Sequence, residues 1–302
     1  MADRRLQVFH AVARQLSFTK AAEQLFMTQP AVTFQIKQLE EHLNVRLFER
    51  SHGWIALTPA GELVLGYADK ILALSEELET RVGELTGAIS GPLLLGASTT
   101  IAEFYLPQIL GEFKALHSHV RAHMTVANSE TIETRVAEHA LDVGLIESPS
   151  HLPGVQTEVC CEDVLVMICS PDYKLAKAKK VSAAVVAGEP FISRETGSGT
   201  REFSDHYFQK NNIAPDAINV VMELGSPEAI KGVVETGLGV SILSRATVVK
   251  ELKLGVLVAV PLDPPLIRSL SVVTPKDRFR SRLQATFVEF AIGRMKRMAA
   301  AQ

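Results

Sequence analysis

The sequence predicts a helical N-terminal module, a long linking helix and an α/β C-terminal domain, and three observations carry that reading. Apolar residues in the first 45 positions recur at three- and four-residue spacing in short blocks separated by capping residues. Positions 59–89 hold one longer seam of the same spacing. Beyond Gly91-Pro92, short apolar runs alternate with helical patterns, as they do in an α/β sheet. At 302 residues, with 47% hydrophobic and 22% charged residues, the chain has a globular composition and room for two or three cores.

In the first block Leu6, Phe9, Val12, Ala13 and Leu16 share one face of a helix that ends before Ser17. Ser17 or Thr19 can cap a second, short helix whose inner face is Ala21, Ala22 and Leu25, small where another helix must come close. Met27-Thr28-Gln29 breaks it. A third helix starts at Pro30, a residue suited to a first turn, and points Val32, Ile36, Leu39 and Leu43 inward. Two short helices joined by a tight turn, the second presenting polar residues near its start, form a helix-turn-helix. Gln29, Thr33, Gln35 and Lys37 are the outward polar set, with Thr28 and Pro30 opening the helix. Glutamine can pair with adenine edges, threonine can meet a base edge or a thymine methyl, and lysine can neutralise phosphate or reach guanine. A small three-helix bundle with a merely solvated polar face fits the same pattern.

Leu47-Phe48-Glu49-Arg50 and Trp54-Ile55-Ala56-Leu57 flank a Ser51-His52-Gly53 turn and read as a two-stranded wing, which puts Arg50 and His52 near a nucleic-acid backbone. Charge agrees modestly. Residues 1–58 hold seven Lys/Arg against five Asp/Glu, residues 59–89 two against six, and the remainder 22 against 23, so the net charge of −3 conceals a basic N-terminal part. Thr58-Pro59 then caps a helix of about 45 Å in which Ile71, Leu74, Leu78, Val82, Leu85 and Ile89 form one seam. Such a seam calls for a partner, and a second copy of the chain would also supply a second reading head for a second half-site. Packing onto its own domain is the alternative.

In the C-terminal part the predicted strands are Leu93–Ala97, Ala122–Val126, Val143–Ile146, Val164–Cys169, Phe191–Ile192, Val220–Leu224 and Val240–Leu243. Ligands of α/β sheets bind beyond the carboxyl ends of the strands. That rule selects Ser98, Thr99, Thr100, Asn128, Ser129, Glu147, Glu195, Gly197, Ser198, Gly199, Thr200 and Ser226. Several of these loops open helices, with Thr100-x-x-Glu103 as a capping box and Ser226-Pro227 as cap and first turn. Helix starts offer unpaired N–H groups and partial positive charge, a natural place for a small anion. Each hydroxyl capping its own helix is the plainer alternative. Glu147 and Glu195 oppose an anion unless Arg194, Arg201 or Lys231 pairs with them, they orient backbone donors, or the ligand carries an amine or hydroxyl.

The constellations of an enzyme are missing. There is no His-Glu-x-x-His and no Gly-x-Ser-x-Gly, and His117, His119 and His123 lack carboxylates at metal-ligand spacing, so neither metal nor cofactor is expected. Cys160, Cys161 and Cys169 read as buried strand residues. No apolar stretch long enough for a signal peptide follows Met1, and none is long enough for a membrane span, so a cytoplasmic protein is expected. The rival function is a cytoplasmic small-molecule-binding protein or enzyme built on the α/β domain alone.

Taken together, Leu6-x-x-Phe9, Ser17-Phe-Thr-x-Ala-Ala22, Thr28-Gln-Pro-Ala-Val-Thr33, Ile36-x-x-Leu-Glu40, Leu47-Phe-x-Arg50 and Leu57-Thr-Pro-x-Gly61 resemble the LysR-type transcriptional regulators. Family helices often carry serine at the position of Thr33, a change that keeps the hydroxyl. The resemblance implies an all-α winged helix-turn-helix DNA-binding domain (1–58), a linker helix that pairs subunits (59–90), and a two-lobed effector domain (91–302) like periplasmic binding proteins. Its lobes would be about 91–163 with 269–302, and about 164–268. It also implies binding to double-stranded promoter DNA, control by a small effector, and tetramers built as pairs of dimers. Ala97-Ser-Thr-Thr-Ile101 with Tyr105-Leu-Pro107, Gly144-Leu-Ile-Glu147, Arg194-Glu-Thr-Gly-Ser-Gly-Thr-Arg-Glu202 and Glu223-Leu-Gly-Ser-Pro-Glu-Ala-Ile-Lys231 are similar to regulators of sulfur assimilation, sulfite reductase and carbon-fixation operons.

Overall fold

The computed structural model describes residues 3–51, 54–84, 89–276 and 279–300. The chain divides into two compact units, Met1–Ala88 and Ile89–Gln302.

In the first unit, α1 (Arg4–Gln15) is capped by the Asp3 carboxylate, α2 (Phe18–Gln24) by the Ser17 hydroxyl, and α3 (Gln29–Leu43) by Thr28 with Pro30 in its first turn. These caps explain why three short helices start where they do. Val8, Phe9, Val12, Ala21, Val32, Ile36, Leu39 and Leu47 form the core between them. Leu16 and Leu43, expected inside, are exposed, because Leu16 is the left-handed residue that ends α1 and Leu43 closes α3. The wing pairs β1 (Phe48–Ser51) with β2 (Trp54–Leu57) antiparallel. Phe48 anchors it by packing its ring 5.4 Å from that of Phe9 and 5.8 Å from that of Phe18. Glu40 Oε1 accepts hydrogen bonds from the Leu47 and Phe48 N–H groups, tying α3 to the wing.

Thr58 locks the next junction. Its hydroxyl donates to the Arg46 carbonyl at 2.8 Å and accepts the Gly61 N–H at 3.0 Å, which starts α4 (Pro59–Glu84), a rod of about 39 Å. Ala68 is buried against the three-helix core, but farther along Ile71, Leu74, Leu78 and Val82 are exposed, so this seam does not pack onto its own unit. Leu85 lies outside the described residues. Ile89, expected to continue the seam, packs instead against the core of the second unit.

The second unit runs β3 (Gly91–Ser98), α5 (Thr99–Phe104), α6 (Leu106–Leu116), β4 (Val120–Ala127), α7 (Ser129–Ala137), β5 (Val143–Ile146) and β6 (Val155–Cys169). It continues with β7 (Val181–Ser182), α8 (Ala183–Gly188), β8 (Phe191–Arg194), α9 (Gly199–Lys210), β9 (Val220–Leu224) and α10 (Pro227–Glu235). Then come β10 (Ser241–Ser244), α11 (Val249–Leu254), β11 (Val258–Pro275) and α12 (Arg282–Ala300). The main sheet has the order β10-β6-β11-β5-β3-β4, with β7 beside β11, while β8 and β9 pair parallel to each other.

The sheet is mixed, since β10, β6, β11 and β5 are joined by antiparallel ladders while β3 pairs parallel with β4 and β5. The predicted strand list is corrected at two places: β6 is far longer than the run expected at Val164–Cys169, and β11 was not among the expected strands. Those two strands pair from Val258↔Cys169 to Pro275↔Val155 and so pass through two cores. One core gathers Leu93, Leu95, Ile109, Val143, Leu145, Leu270, Val272 and Phe287; the other gathers Leu165, Met167, Val186, Phe208, Ile242, Val260 and Leu266. The unit is thus two-lobed, with both strands crossing between the lobes.

A glycine tests the first unit. A Cβ on Gly61 would stand 2.1 Å from the Leu47 carbonyl oxygen, whereas one on Gly66 in the same helix meets nothing within 4 Å. We expect Gly61→Ala to destabilise the winged unit by about 1–3 kcal/mol and Gly66→Ala to stabilise it by about 0.5–1 kcal/mol. Thermal unfolding of both variants checks this.

Candidate functional site

Two sets of residues stand out, one in each unit. On α3, the Gln29 side-chain amide donates to the Thr33 hydroxyl at 3.1 Å, so the two candidate base readers hold each other in place. Thr28 is committed to its cap. Lys37 is exposed and 3.6 Å from Glu41, a loose surface pair that leaves the ammonium available to phosphate. Thr33 and Gln35 are half-buried on the flanks of the helix, and the centre of its outer face is held by Phe34. Arg50 belongs to β1, its side chain outside the described residues along with His52.

In the second unit two of the strand-end residues, Glu147 and Thr200, meet an arginine that sequence reasoning did not single out. Arg268 lies in β11 directly opposite Asp163 of β6, at the crossing between the lobes, and is fully buried. Its Nε donates to Asp163 Oδ2 at 2.8 Å, and its Nη1 pairs with Glu147 Oε2 and donates to Thr200 Oγ1 at 2.8 Å. Thr200 in turn donates to Glu147 Oε2 at 3.0 Å. Glu147, at the end of β5, is therefore held from the first lobe against α9 of the second. Burial alone would push its carboxyl up, but the Arg268 and Arg194 charges overcome that and hold it below its ordinary value. Ser98 and Thr100 face the same carboxylate and favour its charged form, although Ser98 Oγ closes no hydrogen bond.

Arg194, at the end of β8, is the second buried guanidinium. It grips Glu195 with Nε at 2.8 Å and Nη2 at 2.9 Å, and Nη2 also reaches Thr99 Oγ1 of the first lobe at 3.4 Å. The two glutamates are thus paired with arginine, and of the three cations suggested for them only Arg194 takes that role. Arg201 instead binds Asp205 and Glu223, and Lys231 binds Glu228 and Glu251. Arg268 was missed because a charged residue in an alternating strand reads as solvent-facing until its register partner is known.

The glycines of the α9 loop have steric reasons. Gly197 has φ +84°, and a Cβ on Gly199 would lie 2.9 Å from the Glu147 carbonyl carbon, so the helix start approaches β5 only because no side chain intervenes. Ser129 Oγ accepts the Glu147 N–H at 3.3 Å. Asn128 caps α7 and donates across to the Thr196 carbonyl. Ser226 caps its own helix, α10, the plainer of its two readings. The expected Thr100/Glu103 capping box does not form, because α5 starts two residues earlier than that box requires and has Ser98 at its N-cap position.

Among the described residues, four buried donors make no hydrogen bond within the chain at this junction: Arg194 Nη1, Arg268 Nη2, Ser98 Oγ and Ser198 Oγ. Buried donors of this kind are costly to leave unpaired, and an acceptor oxygen placed beside them would remove that cost. The three thiols offer no rival chemistry. Burial pushes Cys160 up to about 12 and Cys161 and Cys169 up to about 11, so all three stay protonated and poorly nucleophilic. No group of residues able to hold a metal ion is found among the described residues, and none of the helices there is long and apolar enough to cross a membrane.

Removing Arg268 strands two buried carboxylates, so Arg268→Met is expected to destabilise the second unit by about 3–5 kcal/mol. Because the folded-state value of Glu147 is depressed, its contribution is complete above the ordinary carboxylate range and is lost as pH falls through the lower folded value. Denaturant unfolding between neutral and acid pH should show that loss, and Glu147→Gln should flatten it.

The family described as "LysR substrate binding domain" matches residues 86–296, and that described as "Bacterial regulatory helix-turn-helix protein, lysR family" matches residues 4–62. The chain is 34% identical over 297 residues to the HTH-type transcriptional activator CmpR of Synechocystis sp., covering 98% of this chain and 96% of that protein. It is 33% identical over 296 residues to the RuBisCO operon transcriptional regulator of Allochromatium vinosum, covering 98% and 97%. Among solved structures, the regulatory domain of CcmR from Synechocystis, in complex with 2-PG, superposes with a TM-score of 0.64 at 29% identity over 69% of this chain and 99% of that one. The rival enzyme reading therefore falls: with both parts matched over nearly its whole length, the chain belongs to the LysR family of DNA-binding transcriptional regulators.

Proposed function

We propose that this regulator senses a compact acidic metabolite or oxyanion held between the two lobes of its C-terminal unit. The single observation that carries the reading is the set of buried, unpaired donors contributed by both lobes: Ser98 from the first, Arg194 and Ser198 from the second, and Arg268 from the crossing strand. Thr99, Thr100, Thr200, Gly197 and the first N–H groups of α9 surround them, and α9 adds the partial positive charge of its N-terminus. Asn128, Ser129, Glu147 and Glu195 serve as the frame, by capping, by backbone contact and by orienting the arginines. The small effector carried by the CcmR relative supports a ligand of this size.

The charge balance shapes the mode of binding. Two guanidinium groups face the carboxylates of Glu147, Asp163 and Glu195, so the site works by short, directional hydrogen bonds instead of a net positive field. Affinity should accordingly depend little on ionic strength. A ligand touching both lobes favours their closed arrangement and can shift a two-state equilibrium only through that difference in affinity. With lobe boundaries near 163/164 and 268/269, the Asp163–Arg268 register pair would sit at the hinge between the lobes.

On the DNA side, Gln29 and Thr33 would read base edges, Gln35 would contact from the flank, and Thr28, Pro30, Lys37, Arg50 and His52 would position the helix and wing on the phosphates. The exposed α4 seam would pair two chains, and pairs of dimers would give a tetramer. The relatives are named as regulators of RuBisCO operons, which favours carbon-fixation genes over sulfur genes as targets.

Titration calorimetry with sulfate, phosphate and a panel of small phosphorylated acids tests the effector reading. Ser98→Ala and Ser198→Ala each remove one donor to a charged acceptor, a loss of about 1.5–3 kcal/mol, while DNA affinity without ligand should stay near wild type. Wild-type ligand affinity in both variants would remove this junction from the effector site.

A further inference from the structure

We infer that Phe34 is a base-reading residue that packs against the C5 methyl of a thymine in the major groove. The inference rests on α3 being the helix that enters the groove. At about 100° per residue, a helix that buries Val32, Ile36 and Leu39 turns Pro30, Phe34, Lys37 and Glu41 to the opposite side. Phe34 sits at the centre of that row and is 58% exposed. Scattered exposed apolar residues are ordinary on protein surfaces, so exposure alone carries nothing. Position is the second observation. Along the helix axis Phe34 follows the Gln29–Thr33 hydrogen-bonded pair and precedes the exposed Lys37, in the part of the helix that meets base edges when a helix-turn-helix docks.

The chemistry selects one base. A phenyl ring has no hydrogen-bonding group to offer adenine, guanine or cytosine edges, whereas thymine presents a methyl group in the major groove, and apolar side chains recognise it by contact. Polar neighbours then supply register while Phe34 supplies discrimination at one position. Sequence reasoning passed over it because polarity served there as the sign of a reading residue.

The full-length protein can select its own probes from a random-sequence duplex pool. Each thymine of the recovered consensus is then replaced by deoxyuridine, which deletes the methyl and leaves the pairing edge intact. We expect at least one replacement to weaken wild-type binding about fourfold, the scale of one buried methyl-sized group. Phe34→Ala should bind the unmodified duplex more weakly by a similar factor and be indifferent to that replacement. Phe34→Leu, which keeps an apolar contact and guards against a folding defect in the alanine variant, should remain sensitive. The assignment is overturned if no thymine is sensitive in the wild type, or if the alanine variant keeps the full sensitivity. A Gln29→Ala control separates the two levels: an unchanged consensus would count against α3 as the reading helix, while a changed consensus with no uracil-sensitive thymine would overturn Phe34 alone.

Discussion

A buried arginine at the strand crossing organises the second unit. Arg268 is taken wholly out of water, which is tolerable only because Asp163, Glu147 and Thr200 meet it at hydrogen-bonding distance. Each partner fixes a different element. Asp163 is its register partner and pins β6 to β11; Glu147 fixes the end of β5; Thr200 fixes the first turn of α9. One guanidinium therefore sets the relation between strands shared by both lobes and a helix start belonging to one. Ser244 closes the far side by donating to Asp163 Oδ1 at 2.6 Å, so the acid is held from two directions.

The same geometry leaves function in what the arginines do not use. Arg268 spends Nε and Nη1 on the frame, Arg194 spends Nε and Nη2 on Glu195 and Thr99, and each keeps one buried nitrogen without a hydrogen bond in the chain. Rigid support of the donors by carboxylates, and freedom of the remaining N–H groups, are what preorganised recognition of an oxyanion requires. Cys160 and Cys169 are buried and Cys161 is partly so, and burial holds all three thiols protonated at neutral pH.

Legibility in the sequence followed the range of the interactions. The reading module was legible because its determinants are local: Ser17 and Thr28 cap within three residues, and Ala21, Val32 and Ile36 repeat at helical spacing. The hydroxyl- and glycine-rich loops were found by the strand-end rule. Arg268 and Asp163 were not, since they are 105 positions apart and only the register of two long strands brings them together. The strand carrying Arg268 was itself hidden by Pro261, Pro264 and Pro265, which the fold accommodates where the ladder shifts between Pro261 and Leu266. Glu103 misled for the opposite reason, a local motif overruled when Ser98 took the cap.

The proposed effector site would place acceptor oxygens among Ser98, Arg194, Ser198 and Arg268. Selenate, a compact tetrahedral oxyanion with a strong anomalous signal, is a direct probe of that position. Crystals of the full-length protein grown without sulfate or phosphate and soaked in selenate should show an anomalous peak within hydrogen-bonding distance of Arg194 Nη1 and Ser198 Oγ. A peak confined to surface lysines, or none between the lobes, would contradict the account.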